Sequence, residues 1–250
     1  MTRVGTPPLV VVHQHDEKLS PGFREILRAG GQVRLAPSYR VNHTFNYPPR
    51  NTPGSLLEAV RAADHDTEFF VLCDPDMIFI REPAFGTKLS GDFYSYIDFS
   101  QEVVQEAARN LGMQGRQELQ CETIRCGVPH VIPKSCADEF AKAWLRAIDA
   151  FTTDLWERSM YSFGFAAVQL GLEVELTHFV DHNGWPQEPV RADMIHYCYG
   201  NDDWTKRAFI SADQAAHVWN PSVEPTKKTI LCEIIDQINE ARSFYTRFQF

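Results

Sequence analysis

The acidic triplet Asp74-Pro75-Asp76 offers the clearest chemistry in the sequence. Two carboxylates this close repel each other, and a divalent cation relieves the repulsion. Carboxylate oxygens are hard donors that suit Mg2+ or Mn2+, and proteins often share these ions with the phosphates of a substrate. Isolated Asp-Xaa-Asp triplets also occur in ordinary surface turns, so the triplet predicts a metal or substrate site only together with its surroundings.

The stretch around the triplet, residues 69–80, is apolar on both sides of it. Each apolar run is short, bulky and partly β-branched, which favours a buried strand over a helix. Pro75 has no backbone N–H, so the chain has to turn or end a strand there. The pattern predicts a strand, a turn that carries both carboxylates, and a second short strand. Carboxylates at the carboxyl end of a strand lie where open α/β sheets bind their ligands.

His196 is a third residue with metal-binding chemistry, and it ends a short apolar run. A single histidine at a strand end more often makes a structural hydrogen bond than a metal bond. Two aspartates and one imidazole together form a donor set that suits manganese. We therefore predict a metal site made of Asp74, Asp76 and His196. Downstream, the cations Lys206 and Arg207 either contact a diphosphate or form solvated ion pairs.

Strand and helix patterns alternate along the first third of the chain, ahead of the triplet. Strands are predicted at residues 9–13 and 32–35, and helices at residues 22–29 and from Asn51 onward. Strand–helix–strand order predicts an α/β fold with a mixed, mostly parallel sheet flanked by helices. Another strand is predicted at residues 93–97.

Helix caps are predicted at two places. Thr52 is the expected N-cap of the helix near Asn51, with Pro53 as its first residue. Ser135 and Asp138 form the expected capping pair of a later helix.

Composition limits the classes of protein that fit. The chain has 250 residues, 44% of them hydrophobic, and a formal net charge of −9. This charge argues against a general nucleic-acid binder, which needs a basic face. No run approaches the roughly 18 apolar residues of a membrane span. The six cysteines show no zinc-binding spacing, and Cys73 and Cys198 have the surroundings of small core residues. A reduced, cytoplasmic setting without a membrane is therefore expected.

The residues around the triplet resemble the acidic-triplet strand of GT-A glycosyltransferases. More narrowly, the chain resembles the plant hydroxyproline O-arabinosyltransferases and the related peptidyl serine α-galactosyltransferases. The matching segments occur in the order of that family and are Asn51-Thr52-Pro53, residues 74–81, Met160-Tyr161 with Gly171 beyond, residues 196–200 (His-Tyr-Cys-Tyr-Gly) and residues 234–241. The sequence departs from the family at Asp74, where glutamate is frequent, and at residues 126–129.

The resemblance implies one Rossmann-like GT-A domain over residues 1–250. Its nucleotide-binding part would cover about residues 1–100, its acceptor part about 101–220, and a packing helix about 225–242. The implied activity is metal-dependent transfer of a pentose or hexose, such as arabinose or galactose, from a UDP-sugar to a hydroxyl with retention of configuration. Mn2+, or Mg2+ in its place, is the implied cofactor.

The resemblance also implies roles for individual residues. Asp76 and His196 would bind the metal, and Asp74 would hold the donor's ribose or sugar, or the metal through water. Asn51 would meet the nucleotide, and the cations Lys206 and Arg207 would assist at the diphosphate. The candidates for stabilising positive charge on the reacting sugar are the carboxylates of Asp154, Glu157 and Asp181. A helix cap and a first-turn acid are the structural alternatives for Asp154 and Glu157.

Two other functions fit the same residues. Paired aspartates on a strand also hold magnesium in nucleotidyltransferases and phosphoesterases, and a catalytically silent module would bind the nucleotide sugar without turnover. The acceptor remains open among a peptide, a small molecule, a glycan and a modified nucleobase.

Overall fold

The structure, a computed structural model, describes residues 9–13, 21–28, 30–41, 46–182, 188–197 and 229–246. Within these ranges the strands and helices follow in the order β1 Leu9–His13, α1 Pro21–Arg28, β2 Gln32–Ala36, α2 Asn51–Ala62, β3 Phe69–Leu72, β4 Met77–Phe79, β5 Ser90–Asp92, α3 Glu102–Asn110, β6 Gly127–Pro133, α4 Lys134–Asp149, α5 Arg158–Leu170, β7 Glu175–Thr177, β8 Val180–His182, β9 Met194–His196 and α6 Ile230–Thr246. No helix in the described part of the chain has the length and apolar character needed to cross a membrane.

The strands form three sheets with mixed directions. Strand β1 pairs in parallel with β2. The second sheet has the order β3-β6-β5-β7, in which β6 is antiparallel to both neighbours and β5 is parallel to β7. The third has the order β4-β9-β8, with β9 antiparallel to β4 and parallel to β8.

The α/β class is as predicted, but the prediction of a mostly parallel sheet is wrong for the described strands. Parallel and antiparallel pairings are equal in number among them. The strand–helix alternation that enforces parallel pairing holds only as far as β3. Strands β3, β4 and β5 then follow one another without an intervening helix, so nothing in the connections favours parallel neighbours.

The main hydrophobic core lies where helices α2, α4 and α5 meet the β3-β6-β5-β7 sheet. Helix α4 turns Phe140, Trp144 and Ile148 inward at helical spacing, and each is at most 1% exposed. Burying a large apolar side chain of this kind stabilises the fold by roughly 1.5–3 kcal/mol. Trp144 keeps its indole N–H satisfied by donating to the carbonyl oxygen of Ser159, at 2.7 Å. Of the strands that border the candidate site, β3 joins this core through Phe70 and Leu72.

Both predicted helix caps are wrong. Helix α2 follows a short 3-10 turn, Pro48–Arg50, and Thr52 lies inside the helix. Helix α4 follows β6 directly, so Ser135 is its second residue and no side chain caps it. Before α2, Arg50 already has helical backbone angles, so no extended residue stands at the position that a capping side chain needs. Before α4, that position is taken by Pro133, whose side chain has no hydrogen-bonding group.

Two further expectations differ from the structure. Residues 93–97 are not a strand, because the chain turns after β5, where the Asp92 carboxylate accepts the backbone N–H of Tyr94 at 2.9 Å. Cys73 is exposed rather than a core residue, and β3 is partly rather than fully buried. Cys198 and the predicted helix start at Pro225 lie outside the described residues.

Candidate metal centre

The turn between β3 and β4 carries the acidic triplet. The backbone N–H of Met77 donates to the carbonyl oxygen of Asp74 at 3.2 Å, which closes a four-residue turn with Pro75 at its second position. Proline favours that position because its fixed φ matches the turn. The predicted strand–turn–strand arrangement of residues 69–80 is therefore confirmed, and its turn places two carboxylates side by side.

Strand β9 brings His196 to this turn across more than a hundred residues of sequence. Its antiparallel register with β4 sets His196 opposite Met77, and the backbone N–H of Tyr197 donates to the carbonyl oxygen of Asp76 at 2.8 Å. The pairing therefore continues to the edge of the triplet. The position of the imidazole follows directly from this register, since a slip of one residue would turn it to the other face of the sheet.

Arg81 links β4 and β9 at the end of the strand pair opposite to His196. Its Nε donates to a carboxylate oxygen of Asp193 at 2.8 Å, and its Nη2 donates to the carbonyl oxygen of Ala192 at 2.8 Å. The Asp193 carbonyl also accepts the backbone N–H groups of Ile80 and Arg81. These bonds hold the entry of β9 against the exit of β4, so they support the register that positions His196.

The two faces of β9 pack against different cores. Ile195 is fully buried, and it packs with the partly buried Ile78 and with Ile230 and Ile234 of α6. Met194 is buried on the opposite side with Val180. Because side chains alternate along a strand, His196 shares the face of Met194, and anchoring on both sides of the sheet keeps the histidine in place.

The three predicted ligands come together in space. The Nε2 atom of His196 lies 3.4 Å from Oδ1 of Asp76 and 3.7 Å from Oδ2 of Asp74. One donor atom from each residue lies within 4.8 Å of the others. The side chains are 15%, 26% and 42% exposed for His196, Asp76 and Asp74.

This donor set fits a divalent cation. Ligands at about 2.1 Å from Mg2+ in adjacent octahedral positions lie roughly 3 Å apart, so the observed separations need only a small contraction around an ion. Partial exposure of the carboxylates leaves one side open to substrate or water, as expected for an ion that proteins share with phosphates. Two carboxylates and one imidazole suit Mn2+ better than Mg2+, because Mg2+ prefers oxygen ligands. That these residues bind a metal stays a prediction.

A second histidine, His182, lies beside the cluster and was missed from the sequence. Strand β8 sets it in parallel register with His196, and the two ring centroids are 5.2 Å apart. The ring of Tyr94 contacts the His182 ring, with a centroid distance of 4.4 Å. Burial, helped by the neighbouring His196, lowers the pKa of His182 to about 4. In the sequence His182 stands in the polar run Asp181-His182-Asn183-Gly184. No local pattern in that run shows that β8 pairs with β9.

Asp92, also missed, is fully buried at the end of β5. Its Oδ1 accepts the backbone N–H of Tyr94 at 2.9 Å, and its Oδ2 accepts the N–H groups of Phe179 and Val180 at 2.8 and 3.0 Å. Burial raises the pKa of this carboxyl group, against the opposing effect of those N–H donors. Asp92 therefore joins the turn that carries Tyr94 to the start of the strand that carries His182.

Asp181, a predicted catalytic carboxylate, is 3% exposed in β8. Its Oδ2 accepts the backbone N–H groups of Arg191 and Ala192 at 2.7 and 2.9 Å, and its Oδ1 lies 3.1 Å from Nε2 of His178. It alternates with His182 along the strand and so projects from the other face of the sheet. The structure thus gives Asp181 a role in holding the segment before β9, and it does not bring its carboxylate into the metal cluster.

Asp154 and Glu157 lie just before α5. Asp154 is 84% exposed and accepts a hydrogen bond from Nη2 of the buried Arg158 at 2.7 Å. Glu157 occupies the N-cap position, where its carbonyl oxygen, not its side chain, accepts the N–H of Met160. Neither side chain therefore acts as the expected helix cap or first-turn acid: Asp154 pairs with Arg158, and Glu157 contributes only its backbone carbonyl. The catalytic role of both residues stays a prediction.

The segment around them is held by Tyr47. Its hydroxyl donates to the carbonyl oxygen of Trp156 at 2.5 Å and accepts the N–H of Ser159 at 3.0 Å, while the Arg158 guanidinium lies 4.1 Å above its ring. Burial raises the pKa of Tyr47 to about 12, so the phenol stays protonated at neutral pH.

The predicted nucleotide-side residues divide in two groups. Asn51 begins α2, and its Oδ1 accepts the backbone N–H of Tyr39 at 2.8 Å. The ring of Tyr39 in turn contacts His13 at the end of β1. Asn51 therefore lies near the carboxyl ends of the β1–β2 pair, the edge at which such sheets bind ligands. Lys206 and Arg207 lie outside the described residues.

Comparison with known proteins gives one weak similarity. The chain is 24% identical over 161 residues to a Hydroxyproline O-arabinosyltransferase, PLENTY, of Lotus japonicus. The match covers 61% of this chain and 45% of that protein, so the chain spans less than half the length of the curated relative it matches. No protein-family model matches the sequence. The similarity supports a relationship to glycosyltransferases.

Proposed function

We propose that this protein is a metal-dependent glycosyltransferase with a GT-A-like fold that transfers a sugar from a UDP-sugar to an acceptor hydroxyl. The observation that carries the proposal is the convergence of Asp74, Asp76 and His196, with donor atoms within 4.8 Å of one another. The similarity to a hydroxyproline O-arabinosyltransferase supports sugar transfer as the reaction that such a metal site would serve. A mixed α/β architecture with ligands at strand ends is consistent with it.

The proposed roles follow the geometry. Asp76 and His196, the closer pair at 3.4 Å, would hold a divalent cation directly. Asp74 is the most exposed of the three and would face the ribose or sugar of the donor, or bind the cation through water. When bound, the cation supplies positive charge next to the leaving diphosphate. Lys206 and Arg207 are proposed to add cationic charge there.

In the proposed reaction, the bond between the anomeric carbon and the diphosphate oxygen breaks and a bond to the acceptor oxygen forms on the same sugar face. The acceptor proton passes to the departing diphosphate, so no strong enzymic base is needed. A carboxylate would stabilise the positive charge that builds on the sugar. Asp154 and Glu157 fit this role better than Asp181, whose oxygens already accept two backbone N–H groups.

Donor binding is the first test. Thermal unfolding with UDP, GDP, UDP-arabinose and UDP-galactose, with and without Mn2+, should show stabilisation by UDP compounds that depends on the metal. Asp76→Ala and His196→Ala should abolish that stabilisation without unfolding the protein. Asp66→Ala is the matched control, because Asp66 is an 85% exposed aspartate that pairs with His65. Parent-like UDP binding by both site variants would refute the metal assignment.

Product analysis separates the proposed activity from its alternatives. Glycosyl transfer, or slow hydrolysis of the donor, releases intact UDP. Release of pyrophosphate or of a nucleoside monophosphate would instead identify a nucleotidyltransferase or phosphoesterase. Binding without any turnover, across peptide, glycan, small-molecule and modified-nucleobase acceptors, would identify a binding module. A hydroxylated peptide is the first acceptor to test, given the name of the matched relative.

A further inference from the structure

We propose that His182 is a positioning residue that orients the His196 imidazole for the metal, and that Tyr94 supports the His182 ring by packing against it. This role rests on the proposed metal-dependent function, because it acts on one of the cluster's own ligands. It assigns a purpose to a row of three aromatic side chains, Tyr94, His182 and His196, in which each ring contacts the next.

The geometry distinguishes positioning from direct binding. His182 and His196 are register partners on parallel strands, so their side chains project from the same face of the sheet. Their ring centroids are 5.2 Å apart with planes inclined by 51°. Within the described residues, however, only Asp74, Asp76 and His196 form the group whose donor atoms lie within 4.8 Å of one another. His182 thus contacts a ligand of the proposed metal and stands outside the ligand set.

The buried carboxylate of Asp92 holds the Tyr94 end of this row in place. Asp92 accepts the N–H of Tyr94 with one carboxylate oxygen and the N–H groups of Phe179 and Val180 with the other. One carboxylate therefore fixes both the residue behind His182 and the start of its strand. Rotation of the His196 ring toward β8 would have to displace His182 against Tyr94, which this anchor resists.

Residues that orient metal ligands have measurable effects on affinity. Loss of a hydrogen-bonded outer partner of a ligand typically weakens metal binding by about 10–100-fold, and we take the lower end of that range for a partner that holds the ligand by ring contact. We therefore expect His182→Ala to weaken Mn2+ binding by at least about ten-fold. His182→Phe keeps a flat ring between Tyr94 and His196, so it should stay within about three-fold of the parent, a much smaller loss than removal of an outer partner.

The test uses Mn2+ alone, without nucleotide sugar or turnover. Mn2+ affinity is measured by titration calorimetry, and pulsed electron paramagnetic resonance detects the nitrogen of any imidazole bound to the ion. The parent and His182→Phe should each show one coordinated imidazole, and His196→Ala none. His182→Ala should bind more weakly and show a broadened nitrogen coupling. His65→Ala is the control, since His65 is 91% exposed and distant in sequence from the row.

The outcomes separate this role from the proposed function. Parent-like affinity and spectrum for His182→Ala, with a parent that binds Mn2+, would overturn the positioning role alone. Two coordinated imidazoles in the parent, with equal losses in His182→Ala and His182→Phe, would also overturn it, because His182 would then be a ligand. A parent that binds no Mn2+ would overturn the proposed function and this role together. Thermal unfolding of each variant shows that the folded protein is being compared.

Discussion

Two pairs of aspartates in this protein are used in opposite ways. Asp92 and Asp181 are buried, and each accepts backbone N–H groups from another segment of the chain. Asp74 and Asp76 are partly exposed and face the imidazole of His196. A buried carboxylate is tolerated when hydrogen bonds replace its water, and this commits its oxygens to the fold. Clustered carboxylates that stay partly exposed lie within reach of a ligand.

Two histidines repeat this contrast. His130 is 2% exposed, with its ring stacked on Phe163 at a centroid distance of 4.0 Å, and burial lowers its pKa to about 3. His196 is 15% exposed and lies within 4 Å of two carboxylates. Residue type alone therefore does not separate structural from functional groups in this protein. Their neighbours do.

The largest expected effect is on stability, from Asp92→Ala. This change removes the carboxylate acceptor of the Tyr94, Phe179 and Val180 N–H groups, of which Phe179 also donates to the carbonyl oxygen of Thr177 at 3.1 Å. Unsatisfied buried donors cost about 1–3 kcal/mol each. We expect a loss of unfolding free energy on the order of 4 kcal/mol, measured by urea denaturation. Asp74→Ala, the partner in the comparison, should change it by less than about 1 kcal/mol, as is usual for partly exposed sites. Equal losses for the two variants would remove the distinction between the pairs.

The next effect concerns ligand binding by the exposed pair. At Mn2+ concentrations about 100-fold above Kd, the parent should gain about 2.7 kcal/mol of unfolding free energy. Asp76→Asn should lose this gain, whereas Asp74→Asn should retain part of it, because Asp76 is closer to His196 and is the proposed direct ligand. Urea denaturation with Mn2+ and with chelator measures both values. A larger loss in Asp74→Asn would reverse the two assignments.

Burial of His130 predicts that the free energy of unfolding depends on pH, by an amount intermediate among these effects. A histidine with a folded pKa of about 3 and an ordinary unfolded pKa near 6.5 binds fewer protons when folded, so stability falls as pH drops from about 6.5 toward 3. At pH 5 the loss is about 2 kcal/mol relative to pH 7.

His130→Phe should remove this part of the acid sensitivity, as seen by comparing urea denaturation at the two pH values. His65→Ala, which changes an exposed histidine, should keep the parent's pH dependence. An unchanged difference between pH 7 and pH 5 in His130→Phe would show that His130 is not the source.

The smallest stability effects are expected at the two candidates before α5. Asp154→Asn and Glu157→Gln should each change the unfolding free energy by less than about 1 kcal/mol, because both changes keep the size of the side chain and neither carboxylate is buried. Mn2+ affinity should stay at the parent value. If one of them stabilises the reacting sugar, its variant should lower kcat by at least about ten-fold without affecting metal binding. Parent-like kcat in both would exclude them from that role.

Local sequence was enough for the elements that their own residues specify. The apolar runs around Pro75 predicted β3, the acidic turn and β4. The spacing of Phe140, Trp144 and Ile148 is by itself typical of one face of a helix, and these residues form the inner face of α4. Predictions failed where a distant group decides the local conformation. Residues 93–97 have an aromatic pattern typical of a strand, but Asp92 turns the chain there by accepting the N–H of Tyr94. The same carboxylate binds the N–H groups of Phe179 and Val180, which lie more than 80 positions away in the sequence.

The kinds of residue at the candidate site, two carboxylates and one imidazole at predicted strand ends, could be recognised from sequence because side-chain chemistry is a local property. Which groups share a site depended on strand register. Pairing of β4 with β9 places His196 beside Asp76, and pairing of β8 with β9 adds His182. Pairing also turns Asp181 to the other face and commits it to backbone N–H groups. Register is decided by side-chain packing on both faces of the sheet, a property of the assembled chain that no single segment carries.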